Sequence, residues 1–337
     1  MSDRRADYRW RVLVAAYLAA FYSGLIFQSC PPVIPLITKT FMVSHGEGGL
    51  LMTAVGLPIL LLSIPVGILV DRYRIRILGG ISVALMVFGS LIVAVSSSFL
   101  LAIIGRLISG VGVAIITIVA PKFLPMWFPQ EERGLVMGIY ATTMPAAVLV
   151  AFWVLGILGV TYSWRAPFYI GAGIGIVVLA IFFGLIREKM LAPSRLSLST
   201  ILGNSTIWML GLSWLLFNAA ALSFMTWAPD FLIEVKGFDL TEAGLASGSF
   251  MLIAVIVSPI GGWISDKFGR RKAFVIVGSL ALAAALPLLP ALDANLVWLT
   301  IIIMGAFAAI VAGPTFALSS EILGFENTGV AFGIIYT

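Results

Sequence analysis

One arginine stands inside an otherwise apolar run. Arg106 opens "RLISGVGVA" (106–114), about seven residues into the run, or ~10 Å along a helix. A guanidinium at that depth costs roughly 3 kcal/mol or more unless it meets a polar cavity, so a binding role is the default reading. Snorkelling to the headgroups is the rival. Arg106, Gly110, Val113 and Thr117 recur at helical spacing and give the run one polar edge. Tyr17, Phe21, Gly24 and Gln28 form a similar stripe in the first run, and Trp214, Asn218, Ala221 and Met225 another in the seventh. Tyr140, Thr142 and Thr143 are further candidates in the fifth. No Asp or Glu lies well inside any complete run; Asp230, Asp293 and Glu321 sit near ends. An interior with one cation and no carboxylate favours a small anionic solute. His45, beside Glu47, reads as a solvated loop residue. Gly105/Ser109 and Gly110/Ala114 are pairs suited to close helix packing.

A second constellation is charged. "GILVDRYRIR" (67–76) and "GWISDKFGRR" (262–271) share a Gly, an Asp four residues on, a cation next to it and an Arg four further. Gly67, Asp71, Arg72 and Arg76 thus match Gly262, Asp266, Lys267 and Arg271, and the second copy adds Gly269 and Arg270. Cations at the C-terminal end of a helix complement its dipole by about 0.3–1 kcal/mol each. Topology alone does not explain the repeated Asp.

These residues must be positioned by membrane-spanning helices. The chain has 337 residues, of which 61% are hydrophobic and 10% charged, with a mean hydropathy of +1.12. A soluble domain keeps about a quarter of its residues charged. Apolar runs fall near 11–37, 48–70, 77–97, 99–120, 133–158, 164–186, 206–229, 241–265, 273–292 and 295–319, with an eleventh starting near 328. Each of the ten suffices to cross a bilayer. If the N-terminus is cytoplasmic, sixteen of the 20 Lys and Arg lie inside and only Lys39, Arg165 and Lys236 outside. That bias predicts a multi-pass protein of the cell membrane with a cytoplasmic N-terminus. The net charge of +5 comes from short clusters between runs, not from a nucleic-acid-binding domain. Cys30 is single, so no intramolecular disulfide is expected, and no metal or cofactor motif is present.

One offset relates the two halves. A shift of 195 pairs the two charged motifs, Glu47 with Glu242, Gly49 with Gly244, and "EERGLVMGI" (131–139) with "ENTGVAFGI" (326–334). The chain is therefore expected to be all-α, a duplicated six-span unit: residues 1–186, a cytoplasmic linker at 187–205, and a second unit over 206–337. Thr337 corresponds to a position inside the fifth span of the first copy, so the second copy is expected to be incomplete, with ten full spans and the start of an eleventh.

The doubled G-x-x-x-D-[RK]-x-x-x-R motif resembles the signature loop of the major facilitator superfamily, which joins spans two and three and again eight and nine. "RLISGVGVA" resembles that family's fourth-span motif, and "WFPQEERGLVMGI" (127–139) the entry to the fifth span in its anion and nitrate/cyanate branches. Arg74 stands where the motif has a glycine. The resemblance implies alternating access. It makes Gly67, Asp71, Arg72, Arg76, Gly262, Asp266, Lys267, Gly269, Arg270 and Arg271 a cytoplasmic latch, and it places Tyr17, Gln28, Arg106 and Asn218 toward a central cavity. Tyr140 and Thr143 are secondary cavity candidates. The expected function is secondary transport of a small organic or inorganic anion by a monomer, with a coupling ion where one is used. Export or uniport of a neutral or amphipathic solute, and a membrane sensor on a transporter scaffold, are the alternatives. The spans carry no cluster of His, carboxylate or Ser/Lys groups of the kind an enzyme would need.

Overall fold

The computed structural model describes residues 2–129, 136, 139–140, 142–186, 203–268 and 270–323. Among these the structure is helical, without strands. The elements are α1 (Ser2–Gln28), a 3₁₀ turn (Pro31–Val33), α2 (Ile34–Phe41), α3 (His45–Arg72), α4 (Ile75–Val95) and α5 (Phe99–Phe123). There follow α6 (Thr143–Val150), a π-turn (Ala151–Leu155), α7 (Gly156–Thr161) and α8 (Ala166–Leu185). The last are α9 (Ser205–Lys236), α10 (Leu240–Phe268), α11 (Arg271–Ala285), a 3₁₀ turn (Leu286–Ala291) and α12 (Ala294–Leu323). They form ten segments long and apolar enough to cross a membrane.

The fold is apolar outside as well as inside. Leu60, Leu61, Leu100, Met209, Leu216 and Leu280 are all exposed. Water would penalise that surface, whereas lipid tails do not. Close packing then rests on small residues. A Cβ on Gly105 would lie 2.8 Å from the Gly89 carbonyl oxygen of α4, and one on Gly112 2.5 Å from the Ser82 oxygen. A Cβ on Gly110 would lie 2.6 Å from the Val55 oxygen of α3. The glycines of "RLISGVGVA" thus serve as close-packing faces of α5, as their spacing predicts.

The 195-residue offset reappears in the coordinates. α2 ends at Phe41 and α9 at Lys236; α3 begins at His45 and α10 at Leu240. α4 begins at Ile75 and α11 at Arg271; α5 begins at Phe99 and α12 at Ala294. Every pair agrees with 195 to within one residue. Neighbour relations repeat too: α5 packs on α3 and α4, and α12 on α10 and α11.

Two spans differ from the expected bounds. The first run, expected over 11–37, extends through Phe41 and is interrupted at Pro31–Val33, where two successive prolines lack the N–H groups that would continue the helix. The seventh, expected to stop at Pro229, continues two turns further to Lys236. Pro229 is tolerated there, as prolines in membrane helices often are, and Asp230 and Glu234 on the added turns find a partner on α3.

Candidate functional site

The site is best built from Arg106. Its residue is 0% exposed, and its guanidinium is surrounded by backbone rather than solvent. Nη1 donates to the Ile26 carbonyl at 2.6 Å and Nη2 to the Phe27 carbonyl at 2.9 Å. Nε donates to the Leu51 carbonyl at 3.2 Å, with longer contacts to Ser29 Oγ and Met52 Sδ. In an unbroken helix the Phe27 carbonyl would accept from the N–H of residue 31, but that residue is a proline. Arg106 supplies the missing donor and stands at the C-terminal, partially negative end of α1. The five N–H groups have five partners, all neutral. Arg106 is therefore a positive charge held in place by the fold, not a donor left open for a ligand. Neither snorkelling nor direct cavity exposure describes it.

The same logic recurs at other helix ends. Arg165 Nη2 donates to the Ser96 carbonyl after α4 at 2.9 Å and stacks on Trp164. Arg76 Nη2 donates to the Phe183 carbonyl in the last turn of α8 at 2.8 Å, and Tyr8 donates to Leu185 beside it at 2.6 Å. Lys236 Nζ donates to the Pro290 carbonyl at 2.8 Å and also to that of Leu292. A cation brought from another element satisfies the last carbonyls of each of these helix ends and complements the end's partial negative charge.

The first-span stripe faces the fifth span. The hydroxyls of Tyr17 and Thr142 are 3.1 Å apart, and a Cβ on Gly24 would meet Ala147. Thr143 is buried and donates to the Tyr140 carbonyl at 2.7 Å. Thr142 likewise donates to the Ile139 carbonyl at 2.8 Å, so the hydroxyl seam where α1 meets the start of α6 is the Tyr17–Thr142 contact, with Thr143 and Tyr140 beside it. Gln28, at the end of that stripe, is 0% exposed and neither atom of its amide has a partner. A buried amide in that state is a strong signal that something polar belongs beside it. Asn218 is set apart from this seam, and its amide nitrogen donates back to Trp214 at 2.9 Å.

Of the charged motif, the backbone places Gly67, Asp71 and Arg72 at the end of α3 and Gly262, Asp266 and Lys267 at the end of α10. Their side chains and all of Gly269 lie outside the described residues. Arg270 is exposed and Arg271 half-buried.

At the opposite end of the spans, a cluster joins the two sequence copies that sequence reasoning missed. His45 Nε2 lies 3.0 Å from Asp230 Oδ2 and 3.2 Å from Glu234 Oε1. His45 is therefore an exposed but paired residue opening α3, not an unpaired loop side chain. Its ring meets Trp227 edge-on at 6.5 Å. Gly49 makes the approach possible, since a Cβ there would lie 2.9 Å from the Trp227 ring. Trp153 of the π-turn adds a second tie, donating to the Leu245 carbonyl of α10 at 3.1 Å. The signal for the cluster was the i, i+4 spacing of Asp230 and Glu234, hidden by the early end assigned to that span.

Comparison with known proteins agrees with the fold. The Major Facilitator Superfamily model matches residues 16–337, and the chain belongs to that family. Among curated relatives it is 26% identical over 270 residues to a nitrite extrusion protein of Bacillus subtilis, covering 77% of this chain and 65% of that protein. It is 21% identical to a hexuronate transporter of Bacillus subtilis, covering 78% of this chain and 65% of the relative. It is 24% identical to a probable nitrate transporter, NarT, of Staphylococcus aureus, covering 73% and 63%. The matches thus span somewhat under two thirds of these relatives. Among solved structures, a bacterial homolog of the human lysosomal transporter Spinster, in an inward-facing and unoccupied conformation, superposes with a TM-score of 0.78 at 19% identity. That match covers 98% of this chain and 79% of the other. A D-xylose-proton symporter superposes equally well, at 0.78 and 16% identity, covering 98% and 87%.

Proposed function

We propose that the protein is a secondary transporter of a small anion working by alternating access. The single observation that carries the anion reading is Arg106, a fully buried cation whose hydrogen-bond partners are all neutral. Its charge raises the potential of the surrounding interior, while its geometry holds α1, α3 and α5 together. Direct contact with substrate falls to the Gln28 amide, which has no partner in this arrangement, and to Tyr17 and Tyr140, since the Thr142 and Thr143 hydroxyls already donate to the Ile139 and Tyr140 carbonyls. Neutral O–H and N–H donors suit an anion that must be released again. The nitrite, nitrate and hexuronate transporters among the relatives support the same substrate class.

In this reading the chain divides at 187–205 into two units with the N-terminus in the cytoplasm. The His45 end then faces outward and the Asp71 and Asp266 motifs face inward as a latch. Contacts of α10 with α6, the π-turn and α7 tie the units together near the outer end. In this reading the described arrangement is closed at the outer end, and a coupling ion, where one is used, is carried in the same cycle. The protein acts as a monomer in the bilayer.

The test is ligand-dependent thermal unfolding in detergent. A ligand at 100 times its Kd stabilises by about 2.7 kcal/mol. Nitrite, nitrate or a hexuronate should raise the midpoint, whereas D-xylose should not. A shift with D-xylose and none with any anion would reverse the substrate class.

A further inference from the structure

We infer that His45, Asp230 and Glu234 form a binding site for one divalent transition-metal ion of the zinc type, bridging the two sequence copies. The inference rests on four observations. The first is geometry: donor atoms around a tetrahedral zinc lie about 3.3 Å apart, given metal–ligand distances near 2.0 Å. His45 Nε2 sits 3.0 and 3.2 Å from the two carboxylate oxygens, and all three atoms lie within 4.8 Å of one another. Two of the triad's three edges are therefore close to those of a metal site before any metal binds, and the third is within 4.8 Å.

The second is donor chemistry. One imidazole nitrogen and two carboxylates make a borderline set that zinc and its first-row neighbours accept. Two carboxylates and a neutral imidazole carry a charge of −2, which one such ion cancels. The third is burial. The Asp230 side chain is only 9% exposed, it points into the cluster, and it has no hydrogen-bond or ion-pair partner outside it. A carboxylate so placed beside a second carboxylate lacks a fixed cation, since no Lys or Arg among the described residues reaches it. Glu47, the other nearby acid, is not part of the set: its Oε2 accepts from the Ser44 backbone N–H at 2.7 Å and from its hydroxyl at 2.8 Å. The fourth is access. His45 and Glu234 side chains are 52% and 57% exposed, which leaves an entry path and room for a water as fourth ligand.

His45 opens α3, whereas Asp230 and Glu234 lie on α9, so the three ligands meet only while these helix ends are together. The bound ion therefore favours this conformation and opposes its opposite. If the alternating-access reading holds, it also arrests the cycle from the outer face.

The chain contains a single histidine, so any imidazole-ligated metal must use His45. Protein purified with a tag free of histidine should bind one Zn²⁺ in calorimetric titration, with a raised unfolding midpoint. Co²⁺ in its place should give the absorption of a tetrahedral nitrogen–oxygen site. His45→Ala and Asp230→Asn should each lose the Co²⁺ spectrum and weaken Zn²⁺ binding at least tenfold, and Glu234→Gln should weaken it less. His45→Gln keeps a polar side chain and guards against loss of fold, which metal-free unfolding would register. Equal Zn²⁺ binding by wild type and His45→Ala, or none by wild type, overturns the inference. Both readouts are independent of transport, so failure of the function proposal would leave them intact.

Discussion

Met42 and Gly237, 195 positions apart, end their helices in the same left-handed conformation, with φ of 52° and 72°. They are the only described residues with positive φ. The two helix ends share a backbone shape while the residue differs, and only one of the two residues suits it. A side chain in this region costs about 1–2 kcal/mol where glycine costs little. Met42 is 91% exposed, so its side chain recovers almost nothing by packing. Met42→Gly should stabilise the protein by about 0.5–1 kcal/mol and Gly237→Ala should destabilise it by about 1 kcal/mol. Thermal unfolding in detergent reads both, and the opposite ordering would contradict the shared turn.

Arg106 should matter first for the fold. Arg106→Gln leaves the Phe27 carbonyl without its donor and removes an additional donor from the Ile26 and Leu51 carbonyls, Ile26 keeping the Ser29 hydroxyl, which should cost about 2–5 kcal/mol. Arg106→Lys keeps the charge but loses the planar fork, so its midpoint should lie between wild type and the Gln variant. A Gln variant as stable as wild type would contradict the capping role.

Close packing should be equally unforgiving. Gly112→Val puts a branched side chain where even a Cβ would sit 2.5 Å from the Ser82 oxygen. A loss of about 2 kcal/mol or more is expected from that overpacking. Gly56, which has open space around its missing Cβ, is the control: Gly56→Ala should leave the midpoint unchanged or raise it slightly.

The Tyr17 hydroxyl serves one contact of the fold and, in the proposed function, one of the substrate. Tyr17→Phe removes both and keeps the ring. Anion affinity should fall by roughly fivefold, the factor about 1 kcal/mol corresponds to, and loss of the Thr142 contact should lower stability by no more than about 1 kcal/mol. Unchanged affinity would remove Tyr17 from the substrate path.

Much of this architecture could be read from residue spacing, because the repeat carries charges and glycines whose positions composition alone does not explain. The helix starts at His45 and Leu240 follow that ruler, as do the starts at Phe99 and Ala294. What escaped reading was set by contacts far apart in sequence. Pro31 announces an orphaned carbonyl at Phe27, yet nothing in the chain says that Arg106, 79 positions on, will satisfy it. Asp230 and Glu234 look like the polar exit of a span until His45 is seen beside them. The hydroxyl seam was half legible: Tyr17 and Thr143 stood out as polar groups in apolar runs, but the pairing of Tyr17 with Thr142 belongs to the packing of α1 on α6.

Transport of a small anion is the central claim, and flux into proteoliposomes reads it most directly. With reconstituted protein, nitrite or nitrate uptake should be saturable, faster than in empty vesicles, and reduced in the Tyr17→Phe variant. Anion uptake no faster than in empty vesicles, alongside saturable uptake of a neutral sugar such as D-xylose, would contradict the account.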